Sequence, residues 1–263
     1  MAVTVDEPVS TRTIGGIKVE IATSGQGKPL LFLHPEIGFD FVGPALDALA
    51  KTRRVTLPSH PGFGRSDVPR WMTTVDDLAY FYLDFLDELD LRDIAMVGVS
   101  MGAWLAAAIA IKSTERLSHL VLAGAVGIKA GDRETREIPD IFAMTEADYL
   151  ATMFADPNAG KRDYTKMDEA DLKVIARNRE ATARYAWSPY MHDPKLKRRL
   201  HRIRVPTLVL WGDRDKITTP EYGRAFAAEI PGARFETIEG AGHFPHVEQP
   251  AAFARKVLGF IGA

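Results

Sequence analysis

Short apolar runs and longer amphipathic stretches alternate along the chain. Ile17 to Ala22 (IKVEIA), Pro29 to Leu33 (PLLFL), Arg54 to Leu57, Ile94 to Val99 and Leu117 to Leu122 have strand character. Helical patterns lie between them. In Val75 to Leu89 (VDDLAYFYLDFLDEL), for example, Leu78, Tyr82, Phe85 and Leu89 recur at i, i+4, i+7 and i+11. Strands alternating with helices predict an α/β fold, a mostly parallel sheet with helices on both faces. Ala95 to Val99 (AMVGV) is apolar throughout, with no polar alternation, which suits a strand covered on both sides.

The rhythm breaks after Gly124. From there to about residue 202 the chain reads as helix and loop, with Met144, Tyr149, Met153, Phe154, Tyr185, Trp187, Tyr190 and Met191 set among many charges. Strand character returns at Val205 to Trp211 (VPTLVLW) and Arg234 to Ile238, and a last helix covers about Ala251 to Ile261. The expected organisation is an α/β core over residues 1–124 and 203–263, interrupted by a helical insertion over 125–202.

Composition narrows the classes of function. The 263 residues are 46% hydrophobic, enough for one sizeable core with an insertion. A formal net charge of -2 leaves no basic footprint for nucleic acid and no polybasic signal for a membrane. The absence of cysteine excludes disulfides, thiol catalysis and thiolate zinc sites. Residues 1–13 (MAVTVDEPVSTRT) lack the basic and apolar regions of a signal peptide. No apolar run nears the roughly 18 to 20 residues that a membrane helix needs. The expectation is a cytoplasmic protein whose partner is a small molecule, of unspecified oligomeric state.

Candidate chemistry begins at Val97 to Trp104 (VGVSMGAW). Val99 ends a strand pattern and Met101 opens a helical one, so Ser100 sits on a tight strand-to-helix turn. Cβ atoms at positions 98 and 102 would collide with the adjoining strand and helix, which explains the glycines. The turn lifts the serine hydroxyl above the sheet edge and sets the Met101 amide at a helix N-terminus, where a developing oxyanion is stabilised. Small residues also permit close strand–helix packing without any chemistry, so the turn alone does not decide. A serine hydroxyl needs a base, and the base needs an orienting group. Of the later histidines, His243 (in GAGHFPHVE) lies between the last strand and the last helix, at the sheet edge that holds Ser100. His246 is the other candidate base. His192 and His201 fall in the charged insertion, and His119 begins a strand at the opposite end. Two carboxylates, Asp213 and Asp215, follow the strand VPTLVL in the run WGDRD, and either suits the acid.

Together the elbow GVSMG, the loop HPGFGRSD, the acid loop WGDRD and the base loop GAGHFPHVEQP resemble the α/β-hydrolase superfamily over nearly the whole chain. The resemblance implies Ser100 as nucleophile, Asp215 as orienting acid and His243 as base, with no cofactor and no metal. It also implies a helical cap over residues 125–202. The backbone N–H groups of Met101 and Glu36 then form the oxyanion hole. His34, Trp187, Tyr190 and Phe244 are the candidates for lining the substrate pocket. Serine at the elbow separates the chain from the dehalogenases and epoxide hydrolases of the superfamily, which carry aspartate there.

Two departures from the family pattern stand out. In FLHPEIG, Pro35 replaces the usual glycine and a glutamate, Glu36, holds the second donor position; Ser59 replaces an aspartate in the following loop. The expected activity is hydrolysis of a carboxylic ester of a small apolar substrate. Carbon–carbon bond cleavage and lactone opening are the enzymatic alternatives. The first is disfavoured because Val99 and Phe244 stand where ring-cleavage-product hydrolases carry asparagine and tryptophan. A ligand receptor is the alternative outside catalysis, should Glu36 spoil the oxyanion hole. GFGRSD lacks the third glycine of a dinucleotide fingerprint, and HxxHxE is not a zincin pattern.

Overall fold

In the computed structural model residues 9–132 and 134–262 are described; the first eight residues of the stretch read for a signal peptide lie outside them. The chain opens with β1 (Ser10–Ile14), β2 (Ile17–Ser24) and β3 (Lys28–Leu33), followed by α1 (Gly43–Ala50), β4 (Arg53–Pro58) and α2 (Val75–Glu88). Then come β5 (Ile94–Val99), α3 (Met101–Ala110) and β6 (Leu117–Ala123). After β6 lie α4 (Glu146–Met153) and α5 (Glu169–Ala186), with short 3-10 turns at Pro157–Gly160, Tyr164–Lys166 and Lys197–Arg202. The sheet resumes with β7 (Thr207–Gly212), α6 (Pro220–Ala228), β8 (Arg234–Ile238), α7 (Pro245–Glu248) and α8 (Pro250–Ile261).

The eight strands form one sheet in the order β1-β2-β4-β3-β5-β6-β7-β8. β1 and β2 join antiparallel, and every pairing from β4 onward is parallel. This is an α/β-hydrolase fold. At its centre all six residues of β5 and all ten of α3 are buried, which is why both read as unbroken apolar runs. α2 starts where the Thr74 side chain accepts from the Asp77 amide and Asp77 caps in return, with two acids in the positive first turn. The strand expected from Val205 begins at Thr207. Pro206 has no N–H to donate and contributes only its carbonyl, which accepts from Leu120.

The helices between β6 and β7 are tied to loops at the C-terminal edge of the sheet. Asn178 donates to the Ile37 carbonyl and accepts from the Gly64 amide, Tyr185 donates to the Pro61 carbonyl, and Arg162 pairs with Asp40 at 2.5 Å. The His243 amide donates to the Met153 carbonyl at the end of α4.

Candidate active site

Ser100 joins β5 to α3 with φ 51° and ψ -116°, a left-handed conformation that costs a residue with a Cβ roughly 1–3 kcal/mol. Neighbouring packing holds it there. A Cβ at Gly98 would overlap the Gly102 carbonyl, and one at Gly102 would overlap the carbonyl of Leu33 at the end of β3. Both glycines are therefore required by the close passage of elbow, helix and β3, as the sequence suggested. The serine is 1% exposed.

The loops after β7 and β8 converge on it. His243 Nε2 lies 2.8 Å from Ser100 Oγ, and His243 Nδ1 lies 2.8 Å from Asp215 Oδ2. Asp215 is held by the amides of Ile217 and Thr218 on Oδ1, at 2.8 and 3.0 Å, and by the Thr218 hydroxyl on Oδ2 at 3.1 Å. With Nδ1–H donated to the carboxylate, Nε2 is free to accept from the serine hydroxyl. The other acid of the pair, Asp213, is exposed and accepts from the amides of Gly240 and Ala241, as a turn residue does. Burial opposes a charge on His243, but the Asp215 carboxylate, its hydrogen bond and the nearby Glu36 together raise the imidazole pKa above its ordinary value.

The other histidines lie elsewhere. His246 packs among Phe32, Phe244 and Phe253, both ring nitrogens are buried without a partner, and burial pushes its pKa down to about 3. It is a neutral core residue, not a base. Glu248, in the same loop, accepts from the amides of Gly242 and Asp156 and so braces the turn that carries His243. His119 packs on Phe260, His192 bonds the Tyr190 carbonyl, and His201 bonds the Arg198 carbonyl.

The Met101 amide, first in α3, lies beyond reach of any intrahelical acceptor. Glu36 follows β3 on a turn closed by Gly38 N–H to Pro35 O at 3.0 Å. Two stacked histidines fix the base of that turn, an arrangement the sequence did not disclose. His34 Nδ1–H donates to the Pro35 carbonyl at 2.7 Å, and His34 Nε2 accepts the His60 amide at 3.0 Å. His60 Nε2–H donates to the His34 carbonyl at 3.0 Å while its Nδ1 accepts the Tyr82 hydroxyl at 2.6 Å. Each ring has one donor and one acceptor engaged, so both are neutral; burial lowers His34 to about 4 and holds His60 well below its ordinary value.

A cavity of about 350 Å³ opens beside this turn, between it and the helices inserted after β6. Its wall combines an apolar surface (Ile37, Phe41, Ile141, Phe142, Leu150 and Phe154 among others) with polar and charged side chains, Glu36, Tyr149, Arg162 and Arg179 among them. Phe154 links it to the base, since its ring meets Phe244 at 5.5 Å and Phe244 lies 5.2 Å from His243. None of the four residues expected to line the substrate pocket lines this cavity. His34 belongs to the buried histidine stack, and Phe244 lies fully buried behind Phe154. Trp187 is 57% exposed on the outer side of Phe142, and the Tyr190 hydroxyl bridges the Ile141 amide and the Pro139 carbonyl. Trp187 caps α5 and Tyr190 stands in the turn that follows, where the course of the chain rather than a helical period decides which way a side chain faces.

Comparison with known proteins agrees with the fold. The sequence model of the alpha/beta hydrolase family matches residues 30–256. The chain is 29% identical over 221 residues to the 3-oxoadipate enol-lactonase 1 of Acinetobacter baylyi, covering 83% of this chain and 82% of that one. It is 25% identical over 291 residues to a 2-hydroxymuconate semialdehyde hydrolase of Pseudomonas putida, covering 94% and 91%. Among solved structures, a thermophilic esterase from Thermogutta terrifontis superposes with a TM-score of 0.74 at 23% identity, covering 97% and 98%; at that identity the likeness is one of fold.

Proposed function

The chain belongs to the alpha/beta hydrolase family, and from that premise we propose that it is a serine hydrolase acting on carboxylic esters of small, largely apolar substrates. One observation carries the reading: the hydrogen-bonded series Ser100 Oγ, His243 Nε2, His243 Nδ1, Asp215 Oδ2, with both links at 2.8 Å and every member buried.

Ser100 Oγ attacks the ester carbonyl carbon as His243 Nε2 takes the hydroxyl proton. The carbonyl electron pair moves onto oxygen, and the amides of Met101 and Glu36 receive that oxyanion. Collapse of the tetrahedral species breaks the ester C–O bond, and His243 returns its proton to the departing alkoxide. Water then repeats the sequence on the acyl-enzyme, releasing the acid and restoring the serine. Asp215 keeps Nδ1 protonated and stabilises the transient imidazolium. The insertion after β6 acts as a cap, and the cavity between it and the Glu36 turn takes the acyl group.

Lactone opening is the second reading. A lactone is a ring-closed ester that passes through the same acyl-enzyme, and a relative at 29% identity bears the name enol-lactonase. A fluorophosphonate probe tests the common core of both. Wild-type protein is expected to be labelled on Ser100 at neutral pH, Ser100→Ala not at all and His243→Ala weakly. Absence of labelling in folded wild-type protein would favour a ligand receptor instead.

A further inference from the structure

The residue that departs furthest from the family pattern, Glu36, is also the least satisfied polar group of the site. It is 7% exposed, it lines the cavity, and its Oε2 is buried with no hydrogen-bond partner among the described residues. A buried carboxylate oxygen without a donor carries a desolvation penalty that is relieved only when something pairs with it.

Several donors in the surroundings are engaged elsewhere, and none reaches Glu36 Oε2. His243 uses both ring nitrogens on Asp215 and Ser100. Asn178 spends its amide on the Ile37 carbonyl, and the Thr182 hydroxyl donates to the Asn178 carbonyl at 2.7 Å. Arg162 is paired with Asp40, and Arg179 donates to the Phe142 carbonyl. The Tyr190 hydroxyl donates to the Pro139 carbonyl. Tyr149, also on the cavity wall, feels the Glu36 charge after burial as a push upward on its phenol pKa, and burial keeps that phenol neutral.

We propose that Glu36 is a specificity-determining residue: the cavity takes an acyl group that is apolar but carries one hydrogen-bond donor, a hydroxyl or an ammonium, and Glu36 receives it. The inference rests on the ester-hydrolase reading above and adds the substrate class to it. A site built around a buried acceptor discriminates in two directions. It favours a substrate that supplies the missing donor over the analogue that leaves the oxygen unpaired. It disfavours an acyl group whose carboxylate is placed against Glu36, a like charge, even though Arg162 and Arg179 stand elsewhere on the cavity wall.

The test is a set of phenyl esters of hexanoic acid and of its 2-hydroxy, 3-hydroxy, 6-hydroxy, 6-ammonium and 6-carboxylate derivatives. They are compared by kcat/KM in wild type, Glu36→Gln and Glu36→Leu, each checked for folding by circular dichroism. At least one hydroxy or ammonium ester is expected to exceed the parent by about tenfold or more, since a hydrogen bond to a charged group is of that order. The advantage should collapse to within about twofold in Glu36→Leu. The wild-type penalty on the carboxylate ester should shrink in the isosteric Glu36→Gln, which keeps the proposal testable if the leucine variant does not fold. The ammonium ester outperforming every hydroxy ester would identify a cationic acyl group, and the reverse order a neutral one. Equal substrate ratios in wild type and either folded variant overturn the proposal. Fluorophosphonate labelling of wild-type Ser100 separates the two levels: labelling with equal ratios sinks only the role of Glu36, whereas no labelling sinks the hydrolase reading beneath it.

Discussion

At the scale of single residues, environment assigns different tasks to chemically identical groups. Asp213 and Asp215 stand two positions apart, yet one is exposed and bound to turn amides while the other is buried and bound to His243. Asp215→Asn is expected to lower turnover by about 10⁴, because an amide facing Nδ1 leaves the imidazole in the wrong tautomer. Asp213→Asn should cost less than about tenfold, and initial rates on one activated ester compare the two; the opposite order would exchange their roles. The pH profile follows from His243. Its pKa is raised by Asp215 and Glu36 against the effect of burial, and the base works only when neutral. The acid limb of kcat/KM therefore lies above about 6.5, the unperturbed value, with activity lost as pH falls through it. Glu36→Gln removes one of the charges that favour imidazolium, so the limb should move to lower pH. An unmoved limb would mean that the Glu36 charge does not reach the base.

At the scale of elements, what was legible in the chain is what depends on near neighbours. The central strands announce themselves because burial on both faces leaves only apolar residues, and the elbow because its glycines are required within five positions. Ser100, His243 and Asp215 each stand on a turn following a strand of a parallel sheet, so strand order alone brings them to one edge. β1 was missed because four of its five residues are exposed, and an edge strand facing solvent has no apolar signature. α1 and α6 are short, and the loops around them obscured their period. The cavity wall was not legible either, since it depends on how α4 and α5 turn toward the Glu36 loop. That contrast is testable. Ile175→Phe, on the α5 side of the cavity, should depress kcat/KM for long acyl chains relative to short ones. Trp187→Ala, on the exposed side of Phe142, should leave the chain-length profile unchanged. A profile altered by Trp187→Ala alone would place acyl binding elsewhere in the insertion.

At the scale of the whole molecule, the interior holds three histidines that burial keeps neutral: His34, lowered to about 4, His246, lowered to about 3, and His60, lowered well below its ordinary value. In the unfolded chain all three titrate near 6.5. Below that pH the unfolded state binds protons that the folded state refuses, so stability falls as pH drops and continues to fall toward the folded-state pKa values. His243 behaves oppositely. Its raised pKa adds stability that is lost as pH rises through the folded value and is fully present below about 6.5, so it offsets part of the loss near neutrality and none of the further loss at lower pH; the same contribution is present in wild type and in a variant at His246. Between pH 7 and 5.5 each neutral histidine should remove about 1 kcal/mol of unfolding free energy, a window chosen to lie above most carboxylate titrations. His246 offers a clean way to isolate one of them. It makes no hydrogen bond, it sits among phenylalanines, and it is outside the Ser100–His243–Asp215 series. His34 and His60, by contrast, hold the turn of Glu36 through four hydrogen bonds and cannot be replaced without disturbing it. Urea unfolding of wild type and His246→Leu at both pH values should therefore show the variant losing about 1 kcal/mol less on acidification. Equal losses would mean that His246 accepts its proton in the folded protein, and that the apolar layer behind the base is open to water.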